Sequence, residues 1–178
     1  MIRFSLGAAA LTAAVAVFLS VPQAFAHITL AVKEAPIASG YRAVLRVPHG
    51  CGDSATVRVR VRIPEGVVGV KPQPKPGWTL DTVKGDYAKP YRLHGAQVSS
   101  GVKEISWTGK LPNDYYDEFV FISYLSDALK PNTTLYFPVV QECEKGVSRW
   151  IDIPGANKKA AGEHNDIPAP ALKLLPKQ

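Results

Sequence analysis

Hydrophobic and polar residues alternate with a period of two along most of the chain after residue 27. The clearest run is residues 57–63, in which Val and Ile occupy one face and Arg58, Arg60 and Arg62 the other. One apolar and one polar face is the pattern of a half-buried strand in an antiparallel sheet. Similar runs occur at residues 28–32, 41–47, 101–107, 118–125, 134–141 and 147–153. No comparable helical stripe accompanies them.

Seven short strands separated by turn residues predict an all-β fold, an antiparallel β-sandwich of the immunoglobulin or cupredoxin kind. Residues 64–66 end one strand, and the prolines of residues 72–77 are expected to keep the approach to Trp78 extended and unpaired. Residues 155–178 are rich in Ala, Pro and Lys, without clear alternation. We therefore expect a sandwich domain over residues 27–154 and an irregular, loosely packed tail over 155–178.

Residues 1–26 have the three parts of a secretory signal peptide. Arg3 provides a basic start, residues 6–19 an apolar core, and Ala24-Phe25-Ala26 the small-x-small pattern of a cleavage site. The apolar stretch is shorter than the roughly 20 residues of a membrane-spanning helix. We expect cleavage after Ala26 and a periplasmic or secreted protein, with an uncleaved membrane anchor as the alternative.

Composition and charge narrow the functional classes. The 178 residues are 46% hydrophobic and 20% charged, which supplies enough apolar surface for a core and excludes a disordered protein. Residues 27–178 contain 20 Lys and Arg against 15 Asp and Glu, a net charge of +5. No phosphate-binding loop or aromatic and basic motif accompanies the arginines at 58–62, so we expect a solvated sheet face and no nucleic-acid partner.

The two cysteines, Cys51 and Cys143, allow a single intramolecular disulfide. An oxidising compartment favours that bridge. The alternative is a thiolate copper site of the blue-copper kind, which takes two His, one Cys and usually a weak axial Met. Cleavage after Ala26 would leave no Met, because Met1 belongs to the leader. We therefore favour the structural bridge.

Cleavage would also make His27 the first residue of the mature chain. Its α-amine and imidazole Nδ1 could then close a chelate ring on one metal ion. Square-planar nitrogen donors suit Cu(II), which also has the highest affinity among the divalent ions. The absence of Met from the mature chain favours Cu(II) as well, since thioethers select Cu(I). The alternative is an N-terminal histidine without any metal role.

His49 is the candidate second ligand. If residues 27–32 and 41–47 form a hairpin centred near Ala38, His27 falls opposite His49, and directly opposed Cβ atoms lie about 5 Å apart. A surface-turn histidine is the alternative. His94 in a polar turn and His164 in the tail are expected to have no specific role. Trp150 is predicted to point outward from its strand, where an indole could mark a binding site or cover a cofactor, and packing under the tail is the alternative.

These residues resemble the YcnI-like copper-binding domain family. The resemblance covers about residues 27–154 and ends near Trp150. It is carried by the N-terminal His27-Ile28-Thr29-Leu30, Leu45-Arg46-Val47-Pro48-His49-Gly50-Cys51, Ile63-Pro64-Glu65-Gly66-Val67, Lys75-Pro76-Gly77-Trp78, Glu104-Ile105-Ser106-Trp107, Tyr115-Tyr116-Asp117-Glu118-Phe119 and Gln141-Glu142-Cys143-Glu144.

The resemblance implies an exported β-sandwich that binds one Cu(II) through an N-terminal histidine brace with a nearby Trp, the positions of His27 and Trp150. Some members complete the site with a Glu just after the Val-Pro pair. Here His49-Gly50 stands in that place, and the first following carboxylate is Asp53. This departure favours a site of two histidines, His27 and His49.

The resulting prediction is a copper carrier in periplasmic copper homeostasis, not an enzyme, which exchanges copper with a periplasmic or membrane partner. One alternative is an oxidative enzyme that uses the same brace, as in polysaccharide monooxygenases. Another is a metal-free adhesion or assembly module.

Overall fold

The computed structural model describes residues 27–155 and 167–178, so the predicted signal peptide and His164 lie outside the described residues. None of the described residues is helical, and no stretch of them forms an apolar helix that could span a membrane. The strands are β1 (Thr29–Leu30), β2 (Glu34–Pro36), β3 (Ser39–Val47), β4 (Thr56–Arg62), β5 (Val67–Pro72), β6 (Thr79–Leu93), β7 (Ala96–Leu111), β8 (Asp117–Leu125), β9 (Thr134–Tyr136), β10 (Val139–Cys143), β11 (Val147–Asp152), β12 (Ile167–Pro168) and β13 (Ala171–Leu175).

The strands form a four-stranded sheet, β1-β3-β8-β5, a six-stranded sheet, β12-β11-β10-β4-β7-β6, and a small third sheet, β2-β13-β9. All pairs are antiparallel except β11 with β12 and β13 with β2. One apolar core draws side chains from all three sheets. The predicted all-β sandwich is therefore confirmed.

Strand β4 shows why alternation predicted this fold. Val59 and Val61 are fully buried in the core, while the arginines that alternate with them face outward. Arg60 forms ion pairs with Glu142 at 2.9 Å and with Glu104 at 3.8 Å, both on neighbouring strands. The arginine stripe is thus part of a polar outer sheet face with cross-strand charge pairs, as expected.

One predicted strand is in fact two. Residues 134–141 divide into β9, which pairs with β13, and β10, which pairs with β4. Between them, the N–H of buried Phe137 donates to the carbonyl of Pro170 at 2.8 Å, and Pro138 has no N–H to continue a ladder. The chain therefore changes sheets at this proline.

The long β6–β7 hairpin was only partly predicted. Its tip bends onto the outer face of the four-stranded sheet, where Leu93 packs near Gly69. The ladder between β6 and β7 is interrupted between Asp86 and Tyr91. β6 is mostly exposed, so it lacks the apolar alternation that identified the other strands.

The prediction of an irregular tail is wrong for residues 167–175. β12 pairs with β11, and β13 lies between β2 and β9. Leu172 and Leu174 on β13 are 0% and 1% exposed. Five residues between prolines are too short for a clear sequence pattern, yet their alternate leucines fill the core. The packed fold therefore continues past the predicted boundary at Pro154.

Candidate metal centre

The ladder between β1 and β3 brings the two candidate ligands to the same end of the sandwich. Thr29 pairs with Arg46 and Leu30 with Leu45. Continued by two residues, this antiparallel register places His27 level with Pro48, directly before His49. The predicted pairing is therefore right to within one residue. The segment that connects β1 with β3 contains β2, which belongs to the third sheet and pairs with β13.

His27 lies against Trp150. The two ring centroids are 5.4 Å apart, with an angle of 66° between the ring planes, so the rings meet edge to face. Trp150 is only 4% exposed, and the prediction that it points outward is wrong. It is opposite Val139 on β10 and Ile167 on β12, on the face that packs toward the core. The exposed residues of β11 are Val147, Arg149 and Ile151.

Trp150 is joined to His49 through a buried amide. The Trp150 indole N–H donates to Gln141 Oε1 at 3.2 Å. Gln141 Nε2 donates to the main-chain carbonyl of His49 at 2.6 Å and to Thr56 Oγ1 at 2.7 Å. A short chain of bonded groups thus connects the side chain packed on His27 with the backbone of His49.

The imidazole of His49 has a defined orientation. Its Nδ1 lies 2.5 Å from the carbonyl oxygen of Gly50. Because a carbonyl can only accept, a hydrogen bond here requires Nδ1 to carry the proton, and Nε2 is then the ring nitrogen that could bind a metal. This is the usual way in which a second hydrogen bond fixes the tautomer of a ligating histidine.

Gly50 is required for the tight path after His49. A Cβ at this position would lie 1.8 Å from the main-chain oxygen of Ser54, which cannot move because Cys51 and Ser54 exchange two main-chain hydrogen bonds of 3.0 and 3.2 Å. The Gly50 N–H also donates to Asn113 Oδ1 at 3.0 Å. No side chain other than hydrogen fits here.

The predicted disulfide between Cys51 and Cys143 is present, with Cα atoms 6.0 Å apart. It ties the His49 segment to β10, the strand that carries Gln141. The two cysteines are each two residues from one member of the hydrogen bond between His49 and Gln141. The bridge and the amide therefore fasten the same two segments.

Two carboxylates on or just after β10 form ion pairs. Glu142 pairs with Arg60, and Glu144 lies 2.6 Å from Lys110. Asp53 lies in an exposed turn. Among the described residues no group of three or more His, Cys, Asp and Glu side chains is arranged to hold a metal ion. His94 lies at the hairpin tip with its ring 5.4 Å from that of Tyr124, at the opposite end of the sheet.

The sequence reasoning missed Gln141 and Asn113. Gln141 had a readable signal, because it occupies an inward position of its strand between Val139 and Cys143, where a polar residue needs a specific partner. Asn113 lies in a turn without such a signal. Together the residues present offer two imidazoles at one end of the sandwich, a donor set that suits Cu(II).

Comparison with known proteins identifies the family. Residues 27–174 match the family model of a domain of unknown function, DUF1775. A solved structure of an uncharacterized protein from Nocardia farcinica, described as having an immunoglobulin-like fold, is 24% identical to this chain, with a TM-score of 0.56. The match covers 84% of this chain and 98% of that chain. No curated protein matches.

The family match extends over most of the chain and includes β13, in agreement with the packing of that strand. The YcnI-like family that the sequence resembles is known under the same family designation. The chain therefore belongs to the DUF1775 family.

Proposed function

We propose that the protein is an exported Cu(II)-binding protein that carries copper in the periplasm or outside the cell. In this proposal the chain is cleaved after Ala26, His27 supplies its α-amine and imidazole, and His49 supplies a third nitrogen. The observation that supports it most is the packing of Trp150 on His27, beside the His49 segment to which Gln141 links it.

The available donors favour the oxidised ion. Both cysteines are joined in the disulfide, and Met1 is the one Met of the chain and precedes the cleavage site. Thiolate and thioether donors, which select Cu(I), would therefore be missing from the mature chain. Imidazole and amine nitrogens remain, and these suit Cu(II) in a tetragonal site.

Trp150 would shield one side of the site. Its indole is 4% exposed and meets the His27 ring edge to face. An apolar wall beside a ligand limits solvent access and reduces the mobility of the ring. This role corresponds to that of the indole which the family resemblance implies.

The family resemblance supports a carrier rather than an enzyme. A carrier must receive copper from one protein and give it to another, so the expected partners are periplasmic or membrane copper proteins. A site at the end of a sandwich, on the segment before β1 and the segment after β3, would allow such partners to approach.

The proposal depends on the free amine of His27, and an N-terminal extension tests it. Four glycines placed before His27 convert its α-amine into a peptide nitrogen and move the new α-amine too far along the chain to close the same chelate ring with the imidazole. We expect the chain that starts at His27 to bind one Cu(II) tightly, and the extended chain to bind on the order of 100-fold more weakly. Loss of a metal ligand should reduce the affinity at least as much as loss of a residue that hydrogen-bonds to a ligand.

Competition with a chromogenic chelator gives both affinities. A chain with four glycines added after Gln178 is the matched control and keeps the original affinity. Equal Cu(II) affinities of the N-terminally extended and unextended chains would exclude the amine and imidazole chelate.

A further inference from the structure

We infer that Gln141 is a positioning residue that sets the relative placement of the two imidazoles in the proposed copper site. It acts on His27 through the Trp150 indole and on His49 through the main chain. The inference rests on the proposed function and assigns a role to a residue outside the donor set.

Gln141 is a polar residue in an apolar core. It is 1% exposed and lies on β10 between Val139, which is fully buried, and Cys143, which is 9% exposed. A buried amide is costly unless its polar atoms are bonded. Gln141 meets this requirement with two hydrogen bonds from Nε2 and one accepted by Oε1.

The amide can have only one orientation. If its oxygen and nitrogen exchanged places, Nε2 would face the indole N–H of Trp150, donor against donor. Oε1 would then face the carbonyl oxygen of His49, acceptor against acceptor. The two neighbours therefore determine the orientation of Gln141, and Gln141 in turn determines theirs.

Each end of this amide leads to one candidate ligand. On one side, the indole N–H fixes the rotation of Trp150, whose ring touches that of His27. On the other side, the bond to the carbonyl of His49 fixes the backbone of a residue whose imidazole is held by the next carbonyl. A fully bonded buried network of this kind is rigid.

Three substitutions remove these connections in different combinations. Gln141→Leu removes both, and Gln141→Glu keeps an acceptor for Trp150 but removes the donor to His49. Trp150→Phe keeps an aromatic ring on this side of His27 but removes the indole N–H together with part of the ring system. Loss of a partner that orients a metal ligand typically reduces affinity about 10- to 100-fold. We expect losses in this range for both Gln141 variants and a smaller loss for Trp150→Phe.

Thr56→Val is the matched control. It removes the third bond of the same amide, which leads to β4 and to neither candidate ligand, and leaves those to His49 and Trp150. Thr56 is also fully buried, so this variant damages the same network. We expect its Cu(II) affinity to stay within about 3-fold of wild type, outside the range for partners of metal ligands.

All variants start at His27 and are measured by chelator competition and by electron paramagnetic resonance of the Cu(II) form. A changed copper hyperfine splitting in the Gln141 and Trp150 variants, with a wild-type spectrum for Thr56→Val, supports the positioning role. Equal affinity losses and unchanged spectra in all variants would overturn it. Should wild type itself bind no Cu(II), the proposed function fails first, so the two failures are distinguishable.

If Gln141→Leu does not fold, Gln141→Glu and Trp150→Phe decide the question, since both retain part of the network. Wild-type spectra and affinities in these two would also overturn the inference.

Discussion

Different interactions stabilise the two ends of the four-stranded sheet. The ends are roughly 25 Å apart along β3, and each carries a histidine outside a regular ladder. At one end the segment of His49 is fixed by the buried Gln141 amide and by the disulfide. At the other, the hairpin tip with His94 rests on a small apolar cluster and a partly exposed network around Glu65.

The hairpin tip has packing without a fixed donor set. Val68, Tyr87 and Tyr91 form its buried cluster. Glu65 accepts hydrogen bonds from the Ala88 N–H at 3.3 Å and the Tyr91 hydroxyl at 3.1 Å, and it forms an ion pair with Lys103. These contacts hold the strands of the hairpin, whereas the ring of His94 packs at a tilt against that of Tyr124.

The difference shows what a ligand site requires beyond a histidine at a loop. A ligand must be held near its productive geometry by a supporting layer of packed and bonded residues. His49 has this support in its Nδ1 bond, its bonded carbonyl and a disulfide two residues away. The comparison therefore favours the His49 end as the functional end of the sandwich.

Among the changes at the two ends, removal of the disulfide is expected to lower the free energy of unfolding most. The bridge closes a loop with a sequence separation of 92 residues. In the chain-entropy account, a loop of this size contributes about 4–5 kcal/mol to the free energy of unfolding. We expect Cys51→Ser/Cys143→Ser to lose stability of this order in urea denaturation.

Reductant provides the control. It should destabilise wild type by a similar amount and leave the double variant unchanged. A loss below about 1 kcal/mol, well under the usual range for a native disulfide, would mean that the His49 end does not depend on the bridge.

The smallest expected effect is at the hairpin tip. Burial raises the pKa of Glu65, but hydrogen bonds from Lys103, Ala88 and Tyr91 lower it more, so the pKa lies below its ordinary value of 4.5. A depressed pKa in the folded state stabilises the protein above the unfolded-state pKa, and this contribution is lost as pH falls through the folded-state value. Because Glu65 is largely exposed, solvent screens the effect, and we expect Glu65→Gln to cost less than about 1 kcal/mol at pH 7.

Urea titrations of wild type and Glu65→Gln at several pH values test this expectation. The difference in free energy of unfolding between wild type and Glu65→Gln should be constant above pH 4.5 and decrease towards zero at lower pH. Glu34→Gln, which removes the exposed ion pair with Lys173, is the control at a distant strand. A difference that grows as pH falls would contradict the assigned sign.

The sequence predicted the parts of the fold in which local pattern and burial coincide. β4 alternates clearly because one face of the strand lies in the core. The disulfide followed from having only two cysteines, and the nearness of His27 and His49 from an antiparallel register.

The orientation of Trp150 could not be predicted because alternation defines two faces without saying which is buried. Val147 and Ile151 made their own face look like the inner one. The register with Val139 on β10 reverses this assignment, and β12 covers Trp150 from the other side. That cover comes from residue 167, far along the chain, so no local pattern could reveal it.

The central claim, a Cu(II) site built on His27 and His49, is tested most directly by counting the nitrogens on the metal. The chain that starts at His27, loaded with one equivalent of Cu(II), should give an electron paramagnetic resonance spectrum with superhyperfine coupling to three nitrogens. His49→Ala should reduce the count by one, whereas His94→Ala should leave the spectrum unchanged. An identical nitrogen count in wild type and His49→Ala would contradict the claim.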